Sequence, residues 1–372
     1  MVRSVMANAP ASDGAVSKLA RSILTKNLKL RPGERVSVEA WPHTLPWAVA
    51  FAREARRMKA LPVILYEDEA GYWSSIEDGG AKLLGTAPGH EWAALAKTDV
   101  YIHMWGPGDR VRLNALPAPQ QAALFRFNDN WYATARKAGL RGLRLELGRP
   151  YPTLAEAYAV EQEKWMDQLL AASAVDPAEL ARRAPPLVRP LQSGRRVQIT
   201  HPNGTDLTLG LARRAARVYD GRPLPASRER PFDLLANVPS GSIRVPLDES
   251  VADGTLVGNR TCYYDDGVAR GPTFEFSQGR LTEARFASGG ERFDKPFAKG
   301  GKGRDRPGFL AIGLNPALHD TPQVEDVEAG AVMVSVGGNQ YLGGKNRSPF
   351  FGWGVVAGAT VKVDGRPLPI PR

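Results

Sequence analysis

The stretch Arg35-Val36-Ser37-Val38-Glu39-Ala40-Trp41 decides the fold of the first half of this chain. It is a β-rich run, and the turn signal Pro32-Gly33 separates it from a helical apolar pattern over residues 16–30. A second helical pattern at residues 46–60 follows it and leads into an apolar strand at 61–66. Strands that alternate with helices are typical of a layered α/β domain with a mainly parallel sheet.

The alternation of helices and strands continues along the first half of the chain. The later predicted elements are, in order, a helix at 91–97, a strand at 98–105, a helix at 120–138 that ends at Gly139, a strand at 143–147 and a helix at 153–173. Asp176 and Pro177 have the residue types of a helix N-cap and a first helical position. Pro185, Pro186, Pro190 and Gly194 then predict an interdomain boundary, so we expect an N-terminal α/β domain at residues 1–190.

The second half has a different sequence pattern, in which short apolar strands are separated by Gly, Pro and Asp. The predicted strands include residues 197–200, 206–209, 254–257 and 273–276. This pattern predicts a β-rich α+β domain at residues 191–372.

Composition restricts the class of protein. The 372 residues are enough for two domains, and the single cysteine, Cys262, excludes an intrachain disulfide framework and suits a reducing cytosol. The net charge of +10 comes from scattered arginine pairs and not from a basic arm, so we expect no nucleic-acid partner. Because no apolar run is long enough to span a bilayer, we expect a soluble, cytoplasmic protein without a membrane partner.

Five short motifs in a fixed order carry a resemblance to a known family. They are Thr200-His201-Pro202-Asn203-Gly204-Thr205-Asp206-Leu207, Asn237-Val238-Pro239-Ser240-Gly241, Ala252-Asp253-Gly254, Ile312-Gly313-Leu314-Asn315-Pro316 and Gly343-Gly344-Lys345-Asn346. In this order they resemble the metalloaminopeptidases of the aminopeptidase T family, which is similar in ancestry to an iron-dependent ring-cleaving dioxygenase of dihydroxypyridine. The resemblance implies an N-terminal α/β domain, a C-terminal catalytic domain of aminopeptidase T type and a homodimer.

The resemblance also implies where metal ligands should stand, and this chain has other residue types there. The family's first carboxylate falls on Ser242 and its second on Phe309. The histidine that opens the next strand falls on Met333, and the closing His-x-Asp pair falls on Phe351 and Trp353. Thioether, phenyl and indole groups cannot hold zinc, cobalt or iron(II). We therefore predict no metal and no other cofactor.

The alternative to a lost metal site is that the family's ligand positions are misaligned on this chain and that real ligands lie nearby. Downstream of Arg306 the chain offers one histidine, His319, and the acidic residues Asp320, Glu325, Asp326, Glu328 and Asp364. A His-Asp dipeptide in a polar loop is a poor set of ligands, so a solvent-facing role is preferred for His319-Asp320. The apolar replacements Phe309, Met333, Phe351 and Trp353 either fill the old metal volume or line a pocket for a planar ligand.

Three residues are candidates for chemistry without a metal. Ser242 lies in a predicted Gly-containing turn and could act as a nucleophile, or it could only cap backbone groups. His103 ends a predicted strand, where open α/β sheets bind ligands, although a half-buried structural histidine is an equal alternative. Lys345 follows the Gly343-Gly344 turn and could replace the metal as a fixed positive charge.

The candidate substrate-binding residues are polar or aromatic and lie near these motifs: Arg244, Arg260, Tyr263, Asn339, Tyr341, Asn346, Phe309, Met333, Phe351 and Trp353. From them we predict a metal-independent hydrolase-like enzyme acting on a small amide, lactone or related molecule, anionic, aromatic or short and peptide-like. One alternative is a non-catalytic dimeric ligand-binding relative. The other is a conventional metalloaminopeptidase, if the ligand register is different.

Overall fold

In the computed structural model of the protein, residues 13–227 and 230–371 are described. The helices are α1 (Asp13–Lys26), α2 (Leu45–Arg57), α3 (Glu69–Leu84), α4 (Gly89–Leu95), α5 (Arg110–Asn114), α6 (Ala118–Ala138), α7 (Pro152–Tyr158), α8 (Gln162–Ser173), α9 (Pro177–Arg183), α10 (Pro185–Ser193) and α11 (Glu291–Lys299). The strands are β1 (Arg35–Ala40), β2 (Leu61–Tyr66), β3 (Val100–Met104), β4 (Arg141–Leu145), β5 (Arg196–His201), β6 (Thr205–Leu211), β7 (Arg217–Tyr219), β8 (Leu235–Val238), β9 (Ser242–Val257), β10 (Cys262–Tyr264), β11 (Gly267–Ala269), β12 (Thr273–Ser277), β13 (Arg280–Arg285), β14 (Pro307–Gly313), β15 (Ala331–Gly337), β16 (Phe351–Ala357), β17 (Thr360–Val363) and β18 (Arg366–Pro367).

The first half of the chain forms a five-stranded parallel sheet in the order β2, β1, β3, β4, β8. The central strands are buried because helices pack on them, whereas β2 is an edge strand with Leu61 62% exposed and Val63 50% exposed. This architecture confirms the predicted α/β fold with a mainly parallel sheet.

The second half forms a large antiparallel sheet built around β9. The first part of this 16-residue strand pairs with β14 and β7, and its last part pairs with β6 and β12. One face of the sheet packs on an apolar core that includes Ile243, Val245, Leu310 and Val334. The predicted β-rich C-terminal fold is therefore confirmed as well.

The chain divides into two compact units. Unit 1 holds the described residues up to Met166 together with Gly221–Val238, and unit 2 holds Asp167–Asp220 and the residues from Pro239 onward. The sequence predicted a single boundary at residue 190, whereas the chain passes between the units more than once. The reason is that β8 completes the parallel sheet beside β4, while Leu180, Leu187 and Leu191 belong to the core of unit 2.

Local structure differs from the predicted elements in three places. The predicted helix at 153–173 is two helices, α7 and α8, because Ala159 adopts the left-handed conformation with φ 54° and ends α7. The prolines at 185 and 186 begin α10 and do not form a linker, since proline fits the first turn of a helix. The predicted strand at 254–257 is the end of β9.

Other predictions of local structure are confirmed. Asp176 caps α9, and its Oδ1 accepts a hydrogen bond from the backbone nitrogen of Ala178 at 2.8 Å. Gly139 ends α6 with φ 69°. Among the described residues, no helix is both long and apolar enough to span a membrane.

Candidate functional site

The apolar replacements at the implied metal positions meet on one face of the unit 2 sheet. The pairings of β14, β15 and β16 place Phe309, Met333, Phe351 and Trp353 on the same side of the sheet, opposite the main core. The ring of Phe309 stacks on Phe351 with centroids 5.7 Å apart, and Phe351 stacks on Trp353 at 5.2 Å. The rings of Tyr219 and Tyr341 pack beside these side chains. We call this group the aromatic face: Phe309, Met333, Phe351, Trp353, Tyr219 and Tyr341.

The aromatic face both fills space and offers a surface. Phe309 is 1% exposed and Met333 is 5% exposed, so these two side chains fill the interior next to the sheet. Phe351 is 40% exposed, and Trp353 is half-buried. The part of the face at β16 can therefore contact a ligand, whereas the part at β14 and β15 cannot without rearrangement.

Arg244 places a positive charge on the aromatic face. Its Nε donates to Asp326 Oδ2 at 2.7 Å, and its guanidinium lies 4.8 Å from the Tyr219 ring centroid and 5.9 Å from that of Phe309. Burial lowers the pKa of Arg244, but the charge of Asp326, the nearby tyrosines and the hydrogen bond to Asp326 together outweigh burial, and the pKa is raised above its ordinary value. Arg244 is therefore cationic at every physiological pH, and rings that attract cations hold it in place.

Ser242 is at the start of β9 and not within a turn. The preceding Gly241, with φ +128°, makes the turn, and Ser242 is 1% exposed opposite Tyr219 and Gly313 on the neighbouring strands. It faces the same side of the sheet as Arg244, two residues further along β9. No hydrogen bond joins its hydroxyl to a histidine or carboxylate among the described residues, and its nucleophilic role stays a prediction.

The acidic side chains between residues 320 and 328 accept hydrogen bonds from arginines or from backbone nitrogens. Glu328 binds Arg260 through two hydrogen bonds of 2.9 and 2.6 Å. Glu325 accepts from the backbone nitrogen of Tyr263, and Asp320 accepts from that of Thr261. These carboxylates stabilise the β9–β10 connection and the hairpin that follows it. Arg260 and Tyr263 therefore act, in this structure, as partners of buried acids.

His319, the histidine that a shifted ligand register would use, is solvent-exposed. The His319 side chain is 77% exposed, and its Nδ1 lies 3.4 Å from Glu328 Oε1. The outward position agrees with the solvent-facing role preferred from the sequence.

The loop between β15 and β16 is held by two asparagines. Asn339 Nδ2 donates to Glu249 Oε1 at 3.0 Å, and its Oδ1 accepts from the backbone nitrogen of Asn346. Asn346 Nδ2 donates to the carbonyl oxygens of Gly303 and Gly337, both at 2.7 Å. Both amides thus hold the loop in place, and their substrate-binding role stays a prediction.

Lys345 lies on the outer side of this loop. Its backbone nitrogen donates to Glu249 Oε1 at 2.7 Å, and its side chain is exposed. It lines a groove of about 1250 Å³ that Lys299, Lys302 and Arg347 also line, and Arg244 and Arg260 do not. Of the three predicted cations, this groove therefore holds only Lys345.

His103 belongs to unit 1. It is the fourth residue of β3, its side chain is 23% exposed, and its Nδ1 lies 2.7 Å from Glu39 Oε2. The histidine therefore has a carboxylate partner that the sequence did not reveal.

The residues at the implied ligand positions do not fit a metal ion. They are one buried hydroxyl, two phenyl rings, one thioether and one indole, and three of these rings stack on one another. Within residues 13–227 and 230–371, no group of three His, Cys, Asp or Glu side chains is placed to hold a metal. The acids that a shifted register would recruit are hydrogen-bonded to arginines or to backbone nitrogens.

Residues 12–315 match the family described as thermophilic metalloprotease (M29), and the chain belongs to this family. The match ends at Asn315, before β15 and β16, which carry three of the five replaced positions. No curated protein sequence matches the chain significantly.

Two solved structures share the fold. AmpT from Thermus thermophilus matches with a TM-score of 0.70 and 19% identity, over 97% of this chain and 98% of that one. The 2,5-dihydroxypyridine dioxygenase from Pseudomonas putida KT2440 matches with a TM-score of 0.59 and 16% identity, over 97% of each chain. At these identities the likeness shows the fold, and the aminopeptidase T type of fold expected from the motifs is confirmed.

Some residues of the aromatic face were not among the predicted site residues. Tyr219 ends the three-residue strand β7 in an arginine-rich segment, and no motif marks it. Tyr264, next to the aromatic face, lies against Trp353 with centroids 4.7 Å apart, and no motif marks it either. Asp326 was noted as an acid, but its pairing with Arg244 across 82 residues has no local signal.

Proposed function

We propose that this chain is a metal-independent member of its family that binds a small anionic molecule with a planar group at the aromatic face of unit 2. One observation carries the proposal: the Arg244 guanidinium lies against the rings of Tyr219 and Phe309, and Phe309 stands where the resemblance implies a metal ligand. A fixed cation beside exposed aromatic surface suits a carboxylate attached to a ring, since the cation binds the acid and the rings bind the plane.

Incomplete hydrogen bonding supports a ligand at this face. Arg244 uses Nε for Asp326, and its guanidinium makes no other hydrogen bond within residues 13–227 and 230–371. Trp353 Nε1 and Tyr264 Oη are buried donors for which no partner is found among the same residues. Buried polar groups are normally paired, so a ligand acceptor or a water molecule would complete them.

Hydrolysis of an amide, lactone or related bond in the bound molecule is the catalytic form of this proposal. The family's name implies peptide-bond hydrolysis, and the dioxygenase of similar fold is named for a small planar ring substrate. Ser242, which faces the same side of the sheet as Arg244, is the residue proposed for such chemistry. Lys345 lines a different groove, and its role as a fixed positive charge stays a prediction. The non-catalytic binding protein is the alternative, and the homodimer that the resemblance implies is part of both proposals.

Binding can be measured by calorimetry with benzoate as the probe. We expect Phe351→Ala to weaken binding about tenfold, because it removes the exposed ring, and Arg244→Lys to weaken it similarly, because lysine lacks the planar pair of donors. Phe125→Ala, at a ring 69% exposed in unit 1, is the matched control and should bind like the wild type. Equal binding by all three variants would contradict the proposal.

Metal independence is tested by plasma mass spectrometry on untagged protein, with an assay for release of amino-terminal residues from peptides. We expect far less than one zinc, cobalt or iron per chain, and an unchanged melting temperature after treatment with a chelator. Stoichiometric metal together with chelator-sensitive peptidase activity would restore the conventional metalloaminopeptidase.

A further inference from the structure

The parallel sheet of unit 1 has a topological switch point between β1 and β3. The chain leaves β1 for β2 on one side, and β3 and β4 lie on the other side, giving the order β2, β1, β3, β4. In open α/β sheets of this order, the loops that follow the two central strands separate there and leave a crevice at the carboxyl ends of the strands. Glu39 and His103 are each the last but one residue of β1 and β3, at the carboxyl ends of these two strands.

Glu39 and His103 form an oriented pair across the switch point. Glu39 Oε2 accepts from His103 Nδ1 at 2.7 Å and from Tyr101 Oη at 2.9 Å, while Oε1 accepts from Trp41 Nε1 at 3.0 Å. Burial raises the pKa of Glu39, but His103 and these donors outweigh burial and hold it below its ordinary value. A carboxylate accepts the Nδ1 proton in either form of the ring, so in the neutral form of His103 the proton lies on Nδ1 and Nε2 presents a lone pair.

Two further polar atoms beside this pair lack partners. His43 Nε2 lies 3.2 Å from the carbonyl oxygen of Trp105 and 3.1 Å from that of Gly148, so Nε2 carries the proton and Nδ1 is an acceptor. Burial lowers the pKa of His43 and favours this neutral form. His43 Nδ1 and Trp105 Nε1 are buried without a hydrogen-bond partner in the described chain, and His103 Nε2 makes no hydrogen bond within it.

Aromatic rings surround these atoms. The Trp105 ring lies edge to face with His103 at 5.1 Å, and Tyr151 lies edge to face with His43 at 5.0 Å. The loop after β3 is pressed against the rings, because a Cβ at Gly106 would lie 2.0 Å from the Trp41 ring and a Cβ at Gly108 would lie 2.3 Å from Tyr151. The loop is therefore fixed against these rings, and the open hydrogen-bonding positions are two acceptors and one donor.

We propose that this switch point is a second ligand site, which binds a small aromatic molecule through a hydroxyl group that donates to His103 Nε2. A hydroxyl both donates and accepts, so one such group can meet an imidazole acceptor and an indole donor. The rings of Trp105 and Tyr151, which lie beside the two imidazoles, contact the ring of the molecule. Glu39 is a positioning residue that fixes the imidazole. The site uses no residue of the aromatic face and does not depend on the function proposed for unit 2.

Calorimetry with 4-nitrophenol tests the site in the full chain, with nitrobenzene as the analogue that lacks the hydroxyl. We expect 4-nitrophenol to bind and nitrobenzene to bind at least about tenfold more weakly, because a site built to hydrogen-bond a hydroxyl rejects the analogue without it. His103→Asn places an amide nitrogen where Nδ1 donates to Glu39 but removes Nε2, and it should weaken 4-nitrophenol binding about tenfold.

The matched control is His90→Asn, the same change at an exposed histidine of unit 1, which should bind like the wild type. Phe351→Ala should leave 4-nitrophenol binding unchanged, so failure of this site and failure of the aromatic face are distinguishable. A second readout is the His103 imidazole proton resonance, which should shift on titration with 4-nitrophenol. No binding at millimolar probe, equal binding by His103→Asn, or loss of binding in Phe351→Ala would each overturn the proposal.

Discussion

Glu249 links the loop before β16 to the rest of unit 2 through a single carboxylate. Its oxygens accept two hydrogen bonds from Arg214, at 2.7 and 2.8 Å, and others from Asn339 and the backbone of Lys345. Burial raises the pKa of Glu249, but these donors outweigh burial and lower the pKa to about 2. The folded protein therefore holds this carboxylate in its ionised form more strongly than the unfolded chain does.

The stabilisation from Glu249 should depend on pH. Because its pKa is lowered on folding, its contribution is full above the unfolded value near 4.5 and is lost as the pH falls toward 2. We expect Glu249→Gln to reduce the free energy of unfolding at pH 7 by about 1–3 kcal/mol. The difference from the wild type should shrink between pH 5 and pH 2, measured by urea unfolding.

Glu283→Gln is the matched change at the surface. Glu283 pairs with Arg285, and both side chains are about half exposed, at 46% and 54%. Exposed ion pairs contribute little, so we expect a loss below about 1 kcal/mol. A pH-independent deficit in Glu249→Gln would contradict the assignment of its stabilisation to the ionised carboxylate.

The break between α7 and α8 depends on one residue in an unfavourable conformation. Ala159 is exposed and has φ 54°, a region that glycine occupies without the Cβ clash. We expect Ala159→Gly to raise the free energy of unfolding by about 0.5–1 kcal/mol, because the relieved clash exceeds the added entropy of the unfolded chain. The urea midpoint of the unit 1 transition measures the change.

Ala122→Gly is the control, and we expect it to lower the free energy of unfolding because Ala122 has regular helical conformation. Ala122 lies within α6, where glycine costs about 1 kcal/mol relative to alanine. The two variants make the same chemical change, so opposite signs would show that backbone conformation decides the effect. Destabilisation by both would mean that Ala159 does not hold the left-handed conformation in solution.

The two compact units share the chain in an interleaved way, and this determines which fragments can fold. A fragment of residues 1–190 lacks β8 and leaves the edge of β4 unpaired, with Leu143 and Leu145 on it. Because an unpaired edge strand promotes association, we expect this fragment to aggregate. Size-exclusion chromatography and circular dichroism measure the outcome.

A chain of residues 1–166 joined by a long glycine–serine linker to residues 221–238 is the control fragment. It restores β8 to the sheet, so we expect a monomer that unfolds cooperatively. If the fragment of residues 1–190 folds equally well, the single boundary predicted at residue 190 would be the better description of the domains.

Residue types and local periodicity determined a large part of this protein. They determined the α/β first half and the β-rich second half, because each follows from short local patterns. The chemistry of single side chains also carries the prediction that the implied metal ligands are lost at Ser242, Phe309, Met333, Phe351 and Trp353. They also placed His103 at the end of a strand.

Only the tertiary structure decided which side chains meet. Arg244 pairs with Asp326 across 82 residues, and His103 pairs with Glu39 across 64. The register of the antiparallel strands, and not any local motif, brings Tyr219 and Phe351 to one face, and β8 joins the unit 1 sheet from the middle of the chain. Local sequence encodes helix and strand periods, whereas these contacts depend on long-range pairing of strands, which no short segment specifies.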